Sequence, residues 1–347
     1  MDKPEAVKKS LFGKTLTELK SVAGNLEMPG YSALQIAEWI YGKRAASVGE
    51  MTNLSKAFRE KLSQQYETGV TPFSKFVCSA DGTKKYLFPT KSGKYIEAVF
   101  IPEKNRHTLC LSTQVGCKMG CLFCATGRQG FQGNLTAGEI LNQLRMIEES
   151  SNITNIVYMG MGEPFDNTPE VMKSLEILTS PWGFGFGARR ITVSTIGITS
   201  GIQTFLDQSN CHLAVSLHSP VEEERRELMP VTKAYPLGTM IEMLKSFETG
   251  RQRRISFEYI MFGGLNDTPF HARELARLLN GLRCRINLIR FHPVPGVELL
   301  PADERTMVNF RDRLSRKGIT TTIRQSRGED ILAACGMLST KELPGKG

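Results

Sequence analysis

From about residue 107 the chain alternates short apolar runs with helix-like segments, and few architectures satisfy that pattern. The runs TLCLS, NIVYMG, RITVST, HLAVSLH, ISFEYIMF, RINLIRF and TTTIRQ read as strands, and the segments between them as helices. Helix starts are marked chemically. Thr136 with Glu139 and Ser219 with Glu222 have capping-box spacing, while Thr168-Pro169 and Thr268-Pro269 put proline at the first helical position. Such alternation predicts an α/β fold with a parallel sheet, here an open or partial (β/α) barrel. Catalytic groups in these folds collect where strands end and loops begin.

Upstream, LTELKSVAGNL, SALQIAEWIYGKR and LSKAFREKLSQQY carry apolar residues at helical spacing and predict a helical accessory domain over residues 1–66. It bears Lys43, Arg44, Lys56, Arg59 and Lys61, so a structural appendage and an RNA-docking module are both open readings. Residues 67–106 predict a hairpin linker turning at Asp81-Gly82 and Ser92-Gly93. The barrel would span 107–338, with a flexible tail at 339–347. A net charge of +9 is compatible with a nucleic-acid partner without requiring one. No 18-residue apolar run and no secretory apolar region occur, so we expect no membrane span and a cytoplasmic location.

Eight cysteines without export signals argue against a disulfide scaffold. Cys117, Cys121 and Cys124 sit in CKMGCLFC, where three thiolates can wrap one metal centre and leave it a ligand short. A 4Fe-4S cluster takes one cysteine per iron, so this CxxxCxxC loop would leave one iron open. That spacing is the signature of radical S-adenosylmethionine (SAM) enzymes, whose open iron takes the amino and carboxylate groups of SAM. A structural zinc completed by a remote Cys or His is the alternative. Further along, Gly162-Glu163-Pro164 offers small residues and a carboxylate for a ligand amine. Ser194, Ser216-Leu217-His218 and His292 follow successive strands and would ring the same strand ends. Cys110 precedes the loop on the first barrel strand, and Cys335 stands in SRGEDILAACG with little bulk around its sulphur. Cys78, Cys211 and Cys284 read as small buried hydrophobes.

Together CKMGCLFCATG, GNLTAGEI, MGMGEP, SLHSP, ELMP, RINLIRFHPVPG and SRGEDILAACG resemble the radical SAM adenine-C2 RNA methyltransferases, the RlmN family, over nearly the whole chain. A related subgroup methylates adenine C8; Pro164 is closer to the C2 enzymes. The resemblance implies a partial (β/α)6-type radical SAM barrel with a 4Fe-4S cluster on Cys117, Cys121 and Cys124. It also implies two SAM molecules consumed per turnover, with Gly162, Glu163, Ser194, Ser216, Leu217, His218 and His292 as cofactor contacts. His292 departs from the family's usual asparagine. Carbon 2 of adenine is not nucleophilic, which suits radical rather than polar transfer. By resemblance, one SAM methylates Cys335, and a 5′-deoxyadenosyl radical from a second activates that methyl group for attack on C2. Cys110 then resolves the RNA–protein link by forming a disulfide with Cys335. Cys110 and Glu97 would share the acid–base work.

Implied partners are 23S rRNA, tRNA and an electron-donor protein such as flavodoxin, with a monomeric enzyme. Candidate RNA contacts beyond the N-terminal cluster are Arg128, Arg189-Arg190 and Arg251 to Arg254. Two other classes fit parts of the pattern. A radical SAM small-molecule methylase would not need both Cys110 and Cys335, and a zinc-stabilised RNA-binding protein would carry no iron.

Overall fold

The computed structural model describes residues 8–247 and 254–340. After strand β1 (Lys9–Ser10) come α1 (Leu16–Asn25), α2 (Ser32–Ala37), which runs into a π-turn at Glu38–Gly42, and α3 (Lys56–Gln65). Strand β2 (Tyr66–Glu67) returns parallel to β1, a pairing the helical pattern did not announce. Helix α1 starts at Thr15 because its hydroxyl takes the Glu18 N–H and the Glu18 carboxylate takes the Thr15 N–H.

An antiparallel run of β3 (Lys75–Cys78), β4 (Lys84–Pro89), β5 (Tyr95–Glu103) and β6 (Arg106–Cys110) leads into the barrel. The remaining elements are β7 (Gln114–Val115), α4 (Ala125–Gln129), β8 (Gly133–Asn134), α5 (Ala137–Met146), β9 (Asn155–Tyr158) and α6 (Thr168–Thr179). They continue with β10 (Ile191–Thr195), α7 (Thr199–Gln208), β11 (His212–Ser216), α8 (Glu222–Leu228), α9 (Leu237–Ser246) and β12 (Ile255–Met261). Last come α10 (Pro269–Leu278), β13 (Cys284–Arg290), α11 (Glu304–Arg316) and β14 (Thr320–Ile323).

Ten strands form one sheet in the order β14-β13-β12-β11-β10-β9-β6-β5-β4-β3. Pairing is parallel from β6 through β14 and antiparallel from β6 back to β3. Strand β12 is covered on both faces and buried at every position, including Ser256 and Glu258 on its lumen side. The sheet curls far enough that Ile101 of β5 and Arg324 just after β14 line one cavity. The fold is the α/β partial barrel expected.

Thr136 caps α5 through a complete capping box with Glu139. Ser219 does not do so for α8, which begins after Val221; its hydroxyl instead accepts the Val221 N–H and donates to Glu224. Cys78 is exposed on the edge strand β3, not buried, because no further strand covers that edge among the described residues. Cys211 is buried and Cys284 half-buried. Ser339 and Thr340, expected in a loose tail, are bound to Gln129, and the Ser339 N–H also meets Glu97. Residues 341–347 lie outside the described residues, as do Arg251 and Arg253. Among the described residues no helix is long and apolar enough to cross a membrane.

Candidate active site

The loop after β6 brings Cys117, Cys121 and Cys124 to the carboxyl ends of the strands, where they line one cavity with Cys110, Glu163, Ser194, Ser216, His218 and Cys335. Burial pushes the Cys117 thiol up to about 12, and Cys124, Glu163 and Asp166 push the same way. Cys121 is driven up by burial and then by its two sister thiols. Three thiols gathered this way repel one another as thiolates, so a cationic inorganic group is what would hold all three deprotonated. Among the described residues no three His, Cys, Asp or Glu side chains are gathered as a single-ion cage. Three thiols on one cavity wall are a donor set that an iron–sulphur centre fits.

Glu163 follows β9 and is buried. Its carboxylate accepts from the Thr195 hydroxyl at 2.7 Å and from the Ile196 and Phe165 N–H groups at 2.9 and 3.0 Å. Burial lifts its pKa to about 7 even though these donors pull it down. Gly162 has φ +97°, and a Cβ there would lie 2.5 Å from the Gln114 Cβ. Gln114 in turn accepts the Glu163 N–H at 2.9 Å. Gly162 thus packs closely against Gln114 while also lining the cavity wall. His218 adopts φ +58°, accepts the Ile260 N–H at Nδ1 and is kept neutral by burial, with a pKa of about 3. Leu217 is buried outside the cavity wall. His292 lines an adjoining cavity and has Ser326 Oγ 2.9 Å from its Nε2.

Cys335 is exposed on a strap formed by residues 328–340. Asp81 accepts the Gly328 N–H, and Asp330 accepts from the Ser79 hydroxyl and the Ala80 N–H. At the other end Gly336 O accepts the Ala125 N–H, Leu338 O accepts from Thr126, and Gln129 holds Thr340. Cys110 shares the cavity with Cys335 and is pushed up to about 12 by burial first and by Cys335 second. Glu97 is not on that cavity wall. It pairs with Lys85 at 3.0 Å, accepts the Ser339 N–H and lines a groove behind the strap. Burial raises its pKa, against the pull of Lys85.

Two further residues carry no local signal in the sequence. Arg324 lines both cavities, with Glu258 at 3.5 Å, and its charge pulls the Cys110 thiol down against burial. Arg225 is fully buried and donates to Leu217, Ser216 and Ile196 carbonyls and to Thr232, tying the ends of β10 and β11 together. The N-terminal cations all have partners within the protein: Lys43 with Glu38, Lys56 with Glu60, Lys61 with Glu27, Arg59 with the Gly49 carbonyl, and Arg44 with Ser150 beyond the N-terminal segment. Arg128 donates to the Gly296 carbonyl and Arg190 to that of Thr154.

Residues 111–279 match the radical SAM superfamily, and residues 9–68 match the ribosomal RNA large subunit methyltransferase N-terminal domain. Over 332 residues the chain is 56% identical to a probable dual-specificity RNA methyltransferase RlmN of Porphyromonas gingivalis, covering 96% of this chain and 97% of that protein. The chain belongs to the RlmN family. An RlmN of Syntrophus aciditrophicus shares 43% identity over 96% of this chain and 97% of its own length. The crystal structure of a radical SAM methyltransferase from Sphaerobacter thermophilus matches with a TM-score of 0.87 and 41% identity, covering 95% of this chain and 98% of that one. In an RlmN-family protein the strap, the three-cysteine loop and the strand-end residues together form the candidate active site.

Proposed function

We propose that this radical SAM methyltransferase methylates carbon 2 of adenosine in 23S rRNA and in tRNA. The observation that carries the reading is the meeting of Cys335, Cys110 and the three-cysteine loop in one cavity. Cys117, Cys121 and Cys124 would hold a 4Fe-4S cluster, with Gly162, Glu163, Ser194, Ser216 and His218 around SAM. Bound there, these groups supply the methyl group and the one-electron chemistry that an electron-poor ring carbon needs.

The chain's own residues do the rest. Cys335, exposed on the strap, carries the methyl group as S-methylcysteine and presents it to the base. Once that carbon is bonded to C2, the Cys110 thiolate attacks the Cys335 sulphur: an S–S bond forms, the S–CH2 bond breaks, and the carbon keeps the electron pair and takes a proton, leaving methyl on the RNA and a Cys110–Cys335 disulfide. Cys110 is also the better placed proton acceptor. Glu97 can serve only if the strap lifts and releases the Ser339 N–H from its carboxylate.

Methylation of 23S rRNA and tRNA fragments by the reconstituted enzyme, with mass mapping of the modified carbon, tests the proposal. Methyl at C2 of adenosine is expected; methyl at C8, or none on RNA, overturns it. A Cys110→Ala variant should accumulate a protein–RNA crosslink, visible as a shifted band on a denaturing gel.

A further inference from the structure

Barrel lumens are usually packed with branched apolar side chains. Here the lumen below Cys335 is an open polar cavity lined by four arginines, Arg106, Arg285, Arg324 and Arg327, against two glutamates, Glu103 and Glu258. Glu258 is already engaged, accepting from Asn287 at 2.7 Å and facing Arg324 at 3.5 Å. Arg106 and Arg285 are fixed differently. Each donates its Nε to a hydroxyl, Arg106 to Thr108 at 3.1 Å and Arg285 to Ser256 at 2.7 Å. Among the described residues no acceptor meets the terminal nitrogens of either guanidinium. Two oriented forks with unclaimed donors are suited to a planar or tetrahedral oxyanion.

We infer that the Arg106–Arg285 end of the lumen binds a backbone phosphate of the RNA beside the target adenosine, while the base reaches Cys335 at the upper end. This rests on the RNA-methyltransferase reading above. The connection between the two ends is visible in the walls: Arg324, Glu258, Ala334 and Cys335 line both the lumen and the cavity of the cysteine loop. Repulsion supports it too. Arg285 is held below the usual guanidinium range by burial, and Arg254, Arg106 and Arg324 push it further down against the pull of Glu258. A phosphate would relieve that repulsion.

The test uses the reconstituted full-length enzyme and an RNA stem-loop, either unmodified or with neutral methylphosphonates at the linkages flanking the target adenosine. The wild type should bind the neutral-linkage RNA about 10-fold more weakly. Arg285→Met and Arg106→Met should each weaken binding of unmodified RNA by about that factor, lower the salt slope by about one, and lose the discrimination between the two RNAs. Iron content and unfolding midpoint check that the variants are intact. Should a variant fail that check, the methylphosphonate comparison on wild type still decides. Inorganic phosphate, the second probe, should compete with RNA more strongly on wild type than on Arg285→Met. Equal binding of both RNAs by wild type overturns the inference, as does phosphate competition that is unchanged in the variant. If wild type neither binds nor methylates the unmodified RNA, the enzymatic reading is what fails.

Discussion

Glu163 is a buried carboxylate held by three donors, two of them backbone N–H groups, and its pKa stands well above that of an exposed glutamate. An acid whose pKa is higher folded than unfolded binds more protons in the native state over the interval between the two values. Stability of the protein without cofactor should therefore fall as pH rises from about 4.5 to about 7, by up to about 3 kcal/mol from this group. Urea unfolding across that range should show the loss in wild type and not in Glu163→Gln; parallel curves would refute the assignment. Arg225 offers the opposite lesson. Replacing it by Met strands two buried carbonyls, a half-buried one and a hydroxyl, and should cost about 3 kcal/mol or more, read as a lower urea midpoint at unchanged slope. The sequence marked Glu163 through its Gly-Glu-Pro setting. Arg225 looked like one more charge in EEERREL, because nothing local says that its partners lie at the ends of two strands.

Helix starts divide in the same way. The Thr136 box was legible because both of its partners are three residues apart on one helix. Ser219 has similar spacing, yet Glu224 captured its hydroxyl and moved the start of α8 to beyond Val221. Gly162 also packs against Gln114 on another segment, a contact that no local spacing shows. Gly162→Ala should therefore disturb Gln114 and the Glu163 N–H it accepts, at about 1–3 kcal/mol from backbone strain alone, measured by thermal unfolding. The strap is the other element whose form no spacing announced. Its near end hangs on two aspartates, Asp81 and Asp330. Removing both in Asp81→Ala/Asp330→Ala should expose residues 328–335 to limited proteolysis while cleavage elsewhere is unchanged.

At the scale of the whole molecule, strand–helix alternation was enough to predict the barrel, and the motif cysteines do lie together at one end of it. The lumen was not legible. Arg106, Arg285 and Arg324 sit far apart in sequence on β6, β13 and the segment after β14, and only the curl of the sheet gathers them. Glu97 likewise kept its predicted strand but lies behind the strap, because Lys85 on the adjoining strand β4 claims its carboxylate. Anaerobically purified protein should contain about four irons per chain, and about none in a Cys117→Ala/Cys121→Ala/Cys124→Ala variant. One zinc and no sulphide would point to a structural metal instead.

The far end of the strap joins the cysteine loop directly, since Gly336 accepts the N–H of Ala125, the residue after Cys124. Seating of Cys335 and ordering of the loop are thus coupled through that contact, and thermodynamic reciprocity applies between them. Whatever steadies the loop must slow amide exchange along residues 333–340. Conversely, any substitution that frees the strap must raise the concentration of iron and sulphide needed to fill the loop.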